Sequence, residues 1–366
     1  MSILKEGQII RETYAVELYL GEGAFAEVYR VQHRFLGRQA MKVFKTKGMS
    51  IEEIEAMLGE AILLSRIGHP NIIRVFDANV VDFDGSTYGF FTMEYVPGGT
   101  LDRYWQSYQN RLMPVEETVA IIKQVCSGLA VAHAESPPIV HRDIKPQNIL
   151  VGYDRSGMLV RVSDFGLAKR VNPMTLMVSA KGTLSFKPPE SLKNHDSCSA
   201  DIWAIGTTLY LLLTDRLPYP NLDNRDVGDA GRFLKELKPA SFYNIKIDPT
   251  LDGIVSRCLS KDPANRHKDA GELLQVLNQW KRISPQVKVA KSNSKKEGSS
   301  KMVFAERSPV DEVLIRKKID EAIRLSRLPG KLPLAADILE EVVNKDHSLR
   351  ERYESQLRLW RKGMVM

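Results

Sequence analysis

The chain has 366 residues, 43% apolar and 27% charged, the proportions of a folded soluble protein and not of a disordered or fibrous one. Its net charge of +7 sits mostly in the tail, where residues 284–366 hold 18 Lys+Arg against 12 Asp+Glu with both signs interspersed, a solvated face and not a specific nucleic-acid or membrane patch. The longest apolar run, 202–213, falls short of the ~20 residues that span a bilayer, Lys5, Glu6 and Gly7 break any signal-peptide core, and Cys126, Cys198 and Cys258 lack CxxC spacing, so the expectation is a cytoplasmic protein with free thiols and no transmembrane segment.

In chain order, β-branched and aromatic residues predict strands at 14–20, 26–32 and 39–44. Between the first two lies Gly21-Glu22-Gly23-Ala24-Phe25-Ala26. A dinucleotide-binding glycine loop runs from strand into helix, whereas here Glu27-Val28-Tyr29-Arg30-Val31 continues as strand. Two readings remain: a plain hairpin turn, or a glycine-rich hairpin over a nucleotide, whose missing side chains let amides approach phosphates. Lys42 follows Ala40-Met41 at the end of an apolar strand and points either to water or into a cleft. Ser50 and Glu53 have capping-box spacing and open a helix predicted to run to Ile67. Glu60 sits among apolar residues of that helix and needs a cation, for which Lys42 is the candidate. Strands are predicted at 72–76 and 87–93, and Glu94-Tyr95-Val96-Pro97-Gly98-Gly99 reads as a hinge before the pattern turns helical.

The spacing of Val119, Ile122, Val125, Cys126 and Leu129 predicts a helix over 115–133. It delivers the chain to His141-Arg142-Asp143-Ile144-Lys145-Pro146-Gln147-Asn148, where Pro146 excludes a continuous helix and biases Lys145 toward extended backbone. An acid, a base and an amide on an irregular segment make a catalytic loop or, read blandly, a surface turn. Short strands are predicted at 149–152 and 159–162, joined by a turn over 153–157. In Asp164-Phe165-Gly166 the glycine suits a tight turn that aims the carboxylate at a hard cation, or an ordinary Asx-turn. The apolar run 202–213 reads as a buried helix.

Taken together, these motifs resemble a Hanks-type serine/threonine protein kinase over approximately residues 12–283. The resemblance rests on Gly21-x-Gly23 with Val28, Ala40-Met41-Lys42, Glu60, Glu94-Tyr95-Val96, the 141–148 loop, Asp164-Phe165-Gly166, Pro188-Pro189-Glu190, Asp201 to Gly206 and Arg266, in that order. It implies an α+β, bilobal fold, with a small β-rich N-lobe (1–96) and a larger helical C-lobe (97–283), and transfer of the γ-phosphoryl group of ATP to protein Ser/Thr hydroxyls with Mg²⁺. It further implies that Lys42, oriented by Glu60, holds phosphates under the loop of Gly21 and Gly23. Leu20, Val28, Ala40 and Leu150 enclose adenine, Met93 is the gatekeeper, and the backbone of Glu94 to Val96 meets the base edge. Asp143 is the catalytic acceptor, Lys145 steadies the γ-phosphate, and Asn148 and Asp164 are the metal ligands. Arg142 implies control by activation-loop phosphorylation, for which Thr175, Ser179 and Thr183 are the hydroxyls. Glu190 and Arg266 are expected to pair, and Asp201 to hold the 141–143 backbone. Ala26 in place of a third glycine, Phe186 in place of tyrosine and Pro188 in place of alanine depart from the family pattern and bear on substrate docking. The competing class is a pseudokinase scaffold acting through binding; a small-molecule kinase on the same fold is a third.

Residues 284–307 read as a flexible linker rich in Ser, Lys and Gly. A helical extension over 308–366 follows. Ser308-Pro309 starts one helix with Ile315, Ile319, Ala322 and Ile323 on a stripe; a second spans about 334–344; a third puts Leu349, Tyr353, Leu357 and Trp360 on one side. Helices this short cannot bury much alone, so they are expected to dock on the lobes, self-associate or bind a partner.

Overall fold

The computed structural model describes residues 2–23, 25–108, 112–154, 157–165, 184–193, 197–219, 230–281, 309–326 and 332–345, with positions 349, 353, 356, 357 and 360 beyond them. They belong to two compact units, 1–282 and 283–366.

The first unit opens with β1 (Ile9–Ile10), β2 (Tyr14–Glu22), β3 (Ala26–His33) and β4 (Gly37–Lys47), then α1 (Ile51–Ile67), β5 (Val75–Phe83) and β6 (Ser86–Glu94). The strands form one antiparallel sheet in the order β1-β2-β3-β4-β6-β5. Alternation along each strand sends residues to opposite faces. Ala26, Ala40, Phe44, Phe91 and Met93 pack on one face with Ile54 and Leu58 of α1, which is the face that meets the nucleotide-cleft candidates. The α1 start is as the spacing predicts: Ser50 Oγ accepts from Glu53 N–H, the Glu53 carboxylate accepts from Ser50 N–H, and Gly68 closes the helix with φ 73°.

The opposite face carries Tyr14, Val16, Tyr29, Val31, Met41, Val43 and Phe90, and it is covered by the chain's own first residues. Leu4 is buried to 1% exposure in that layer. The amide of Ile3 donates to the Glu27 carboxylate at 2.8 Å and that of Leu4 to the Tyr29 hydroxyl at 2.9 Å, while Tyr29 also bonds Glu27. An arm that the sequence reading took only as lacking a signal peptide is therefore part of the core.

Strand bounds differ from expectation in two places. The predicted strand at 72–76 begins instead at Val75 and runs to Phe83, because Asp84 and Gly85, with φ 49° and 69°, make a two-residue turn that lets Asp77 and Asn79 pair with Thr92 and Phe90. Ile72 is diverted to a bridge with Val162, and Ile73 N–H donates to the Val162 carbonyl at 2.9 Å. Likewise β7 (Ile149–Asp154) and β8 (Gly157–Val162) extend into the span 153–157 read as a turn.

The lower half holds α2 (Leu101–Gln106), α3 (Val115–His133), α4 (Cys198–Thr214), α5 (Pro249–Cys258) and α6 (Ala270–Gln279). Every residue of α4 from Ala200 to Thr214 is buried, and it serves as the post on which α3, α5 and α6 pack. Arg266, 3% exposed, grips Glu190 through two contacts of 2.5 and 2.8 Å and lies 4.9 Å from the Trp203 ring centroid, so the expected Glu190–Arg266 pair forms. The second unit contains α7 (Pro309–Ser326) and α8 (Leu332–Lys345), whose Ile319, Ala322, Leu339 and Val342 enclose a small core with Trp360, flanked by Leu349, Tyr353 and Leu357. The linker 284–307, Ser308 and the break at Pro329-Gly330 lie outside the described residues.

Truncating the arm's anchor, Leu4→Ala, should cost about 2–3 kcal/mol by leaving a cavity under the sheet, read as a lower urea midpoint with unchanged slope. An unchanged midpoint would show that the arm contributes no burial energy.

Candidate active site

The 141–148 loop is shaped by a carboxylate beneath it. Asp201, on α4 and 1% exposed, accepts the amide of His141 on Oδ2 at 2.7 Å and that of Arg142 on Oδ1 at 2.8 Å. This grip holds Arg142 at φ 69°, a left-handed conformation that a long side chain rarely adopts. Burial raises the pKa of Asp201, but the hydrogen bonds from the His133 ring and the His141 amide outweigh it and leave it below the ordinary carboxylate value. His133 Nε2 lies 3.1 Å from Asp201 Oδ2, and its Nδ1 accepts the Ala270 amide at 3.2 Å. Burial disfavours a second proton on that ring while Asp201 and Cys198 favour it, with a net rise to about 9; the Ala270 amide aimed at Nδ1 works against that proton, and the geometry is that of a neutral ring donating from Nε2.

His141, fully buried, accepts the Asp143 amide on Nδ1 at 3.2 Å and donates from Nε2 to the Ser163 carbonyl at 2.7 Å. Its ring meets Phe165 edge-on at 4.5 Å. One imidazole thus ties the Asp143 loop to the strand end that carries Asp164. Lys145 is extended at φ −164° and ψ 163°, and Pro146–Asn148 form a single 3-10 turn. The bend turns Asn148 back toward Asp143: Nδ2 donates to the Asp143 carbonyl at 2.8 Å and to Oδ2 at 2.9 Å. Lys145 Nζ donates to the same Oδ2 at 2.8 Å.

Across the cleft, Asp164 has φ 66° and its Oδ2 lies 2.7 Å from Lys42 Nζ. Burial pushes the Asp164 pKa up, and the Lys42 charge more than reverses this, leaving it lowered. The sequence reading gave Lys42 to Glu60. The structure pairs Lys42 with Asp164, since both project from opposite walls into one space; Glu60 is on α1 with its side chain outside the described residues. With both amide hydrogens of Asn148 spent on Asp143, its oxygen and the Asp164 carboxylate are hard ligands suited to Mg²⁺, which takes one or two protein oxygens and completes its shell with phosphate and water.

Of the adenine-pocket candidates, Ala40, Met93 and Val96 are buried in one cluster with Val28 and Leu150 against them. Leu20 stands outside that cluster, and its carbonyl accepts Arg103 Nη2 of α2 at 3.3 Å. Gly21 has φ 147° with nothing within 4 Å of a would-be Cβ, and Gly23 N–H donates to the Ala26 carbonyl at 2.8 Å, which closes the hairpin. At the hinge, a Cβ on Gly98 would lie 2.1 Å from the Val151 carbonyl, which explains glycine there. The Glu94 side chain is engaged by Arg161 at 2.9 Å. Behind Met93 lies a small recess bounded by Leu58, Ile73, Phe91, Asp164 and Phe165. Gly166, Thr175, Ser179 and Thr183 lie outside the described residues. Sequence reasoning did not single out His133 or Lys187, whose Nζ donates to the Arg142 carbonyl at 2.6 Å. For Lys187 a signal existed, a cation inserted beside Phe186 and Pro188.

Residues 14–280 match the family described as protein kinase domain. The probable serine/threonine-protein kinase PknB of Lactococcus lactis is 30% identical over 279 residues, covering 74% of this chain and 42% of that protein. A point mutant of the Mycobacterium tuberculosis PknI kinase domain aligns with TM-score 0.56 and 28% identity over 76% of this chain and 98% of its own. Rad53 1–466 in complex with AMP-PNP aligns with TM-score 0.56 and 26% identity over 72% and 64% of the two chains. The chain spans about two fifths of the length of the curated relatives it matches, 42%, 41% and 41% for three of them. Among the described residues no helix is long and apolar enough to cross a membrane.

Asp201→Asn should destabilise the fold by about 3 kcal/mol at pH 7, since an amide cannot accept both loop amides and confronts one of them with a donor. The lowered pKa sets the sign: the stabilisation is complete above the unfolded value of ~3.9 and is lost as pH falls through the folded one. The gap between native and variant urea midpoints should therefore be constant from about pH 6 to 8 and shrink below about pH 4. A gap undiminished at low pH would contradict a charged Asp201.

Proposed function

The chain belongs to the protein kinase family, and from that premise we propose that it is an active serine/threonine protein kinase using ATP and Mg²⁺. The observation that carries this reading is the pair of charge contacts, Lys42 with Asp164 and Lys145 with Asp143, on the lobes that also carry the glycine hairpin and the 141–148 loop.

Phosphoryl transfer asks a protein for position and charge neutralisation more than for covalent chemistry. Val28, Ala40, Met93, Val96 and Leu150 take the adenine, with Leu20 at the rim and the Glu94 to Val96 backbone at its edge. Lys42 exchanges its hold on Asp164 for the α- and β-phosphates, steered by Glu60. Asp164 and Asn148 hold Mg²⁺, which when bound neutralises charge on the phosphate oxygens. Asp143 accepts a hydrogen bond from the substrate Ser or Thr hydroxyl and aligns it. As the hydroxyl oxygen bonds to the γ-phosphorus, the bond to the β–γ bridging oxygen breaks, ADP leaves, and the hydroxyl proton passes late to Asp143. A carboxylate is a weak base for an alcohol, so orientation is its larger contribution. Lys145, two residues on, neutralises the γ-phosphoryl oxygens. Arg142 senses phosphate on the segment carrying Thr175, Ser179 and Thr183, through charge-assisted bonds. The enzyme works on protein substrates in the cytoplasm, in keeping with three free cysteines, and its C-terminal helices serve a partner or a second copy.

Asp143→Asn should lower transfer of labelled γ-phosphate to a generic protein substrate by at least about 100-fold with ATP binding retained. Equal incorporation by both proteins would defeat the assignment. Phosphopeptide mapping of active protein should find Ser179 or Thr175 modified; both unmodified would remove the proposed control.

A further inference from the structure

Leu20 sits where the chain skips a rung. Along the β2–β3 ladder Tyr19 faces Tyr29 and Gly21 faces Val28, so two steps on one strand meet a single step on the other, and Leu20 is the extra residue of a bulge. A bulged residue stands unpaired in its ladder and can re-aim its groups. Here the Leu20 carbonyl accepts Nη2 of Arg103, 83 positions further along the chain, at 3.3 Å. Leu20 belongs to the sheet and Arg103 to α2, so this bond links the upper and lower halves, as the Lys42–Asp164 pair does.

The lower end of the link starts beside the adenine-pocket candidates. Thr100, the N-cap of α2, forms a bridge with Leu150 and accepts the Arg103 amide on Oγ at 3.3 Å. Arg103 thus rises from beside one candidate wall residue, Leu150, to the backbone of another, Leu20.

Although α2 has only six residues, it is fixed on its other sides. Val151 N–H donates to the Gly99 carbonyl at 2.8 Å, and the close approach of Gly98 to the Val151 carbonyl leaves no slack in that crossing. Tyr104, buried, donates its hydroxyl to Glu117 of α3, and the Tyr108 hydroxyl lies 2.9 Å from each oxygen of the same carboxylate. Asp102 Oδ1 accepts Nε2 of Gln147, from the 141–148 loop, at 2.8 Å. Arg103 therefore stands on a rigid foot, and its bond fixes how far the root of the glycine hairpin stands from the lower wall.

We infer that Arg103 is a latch on the nucleotide pocket: it positions Leu20 over the adenine by holding the bulge carbonyl, and it releases that carbonyl each time a nucleotide passes. The bond is remade after passage in either direction, so it slows entry and exit alike and leaves affinity nearly untouched. Its role is positioning, with no part in the bonds made and broken at phosphorus. The guanidinium is exposed, and exchanging such a bond for water changes a rate by roughly threefold to tenfold. This rests on the reading of the chain as an ATP-dependent kinase.

The test follows a non-hydrolysable ATP analogue, with its fluorophore on the γ-phosphate and not on the base or ribose, into and out of the full chain by stopped flow with Mg²⁺. Arg103→Ala should raise the association and dissociation rate constants together by about threefold to tenfold, with Kd within about twofold of native and the urea midpoint unchanged. Unchanged rates overturn the inference. A change in only one of the two rates does so as well, since it marks a contact made to the nucleotide itself and not a latch. Faster exchange accompanied by a lowered midpoint would assign the effect to loosened packing and likewise overturn it. Absence of any nucleotide binding by the native chain would strike the kinase reading and the latch with it, whereas binding at rates indifferent to Arg103 strikes the latch alone.

Discussion

A single buried carboxylate organises the lower half of the cleft. Asp201 takes the amides of His141 and Arg142, and with them sets the path of the backbone into Asp143. From there the order spreads through short contacts: His141 to Ser163, Asn148 and Lys145 to Asp143. The carboxylate sits on α4, the most deeply buried helix of the unit, so the loop inherits the rigidity of the core although it has almost no regular structure of its own. Preorganisation of this kind is what phosphoryl transfer demands, since displacement of a reacting group by an ångström is costly.

The upper half is built on a different principle. A sheet with both faces buried, one by α1 and one by the N-terminal arm, presents Lys42 and the pocket residues from a stiff platform. The two halves meet through paired charges, Lys42 with Asp164, and through Ile72 and Ile73, which bond to Val162 just ahead of that aspartate. Two of the six left-handed non-glycine residues among those described, Arg142 and Asp164, lie at the cleft, and each is held by a charge partner or a buried acceptor.

Much of this was legible in the sequence because local chemistry and motif order agree. The capping box at Ser50 and Glu53, the extended Lys145 before Pro146, and the Glu190–Arg266 pair all follow from short-range rules or from a recurring spacing. What was missed depended on long-range geometry. Leu4 reads as one apolar residue in a polar start, and only the apolar face of β3 that α1 does not cover explains its burial. The strand at 75–83 contains Asp77, Asp82 and Asn79, poor strand formers that its neighbour β6 overrides. The contact of Lys42 with Asp164 joins residues 122 apart along the chain, beyond the reach of any local rule.

The N-terminal arm also determines how the glycine hairpin can move. Ile3 is held on Glu27, which pairs with Glu22 at the last rung of the β2–β3 ladder, and Leu4 on Tyr29, which pairs with Tyr19. The arm therefore props the hairpin as far as its final rung, on the face opposite the one that packs against α1. The first residues of the chain thereby set the stiffness of a flap more than twenty positions downstream.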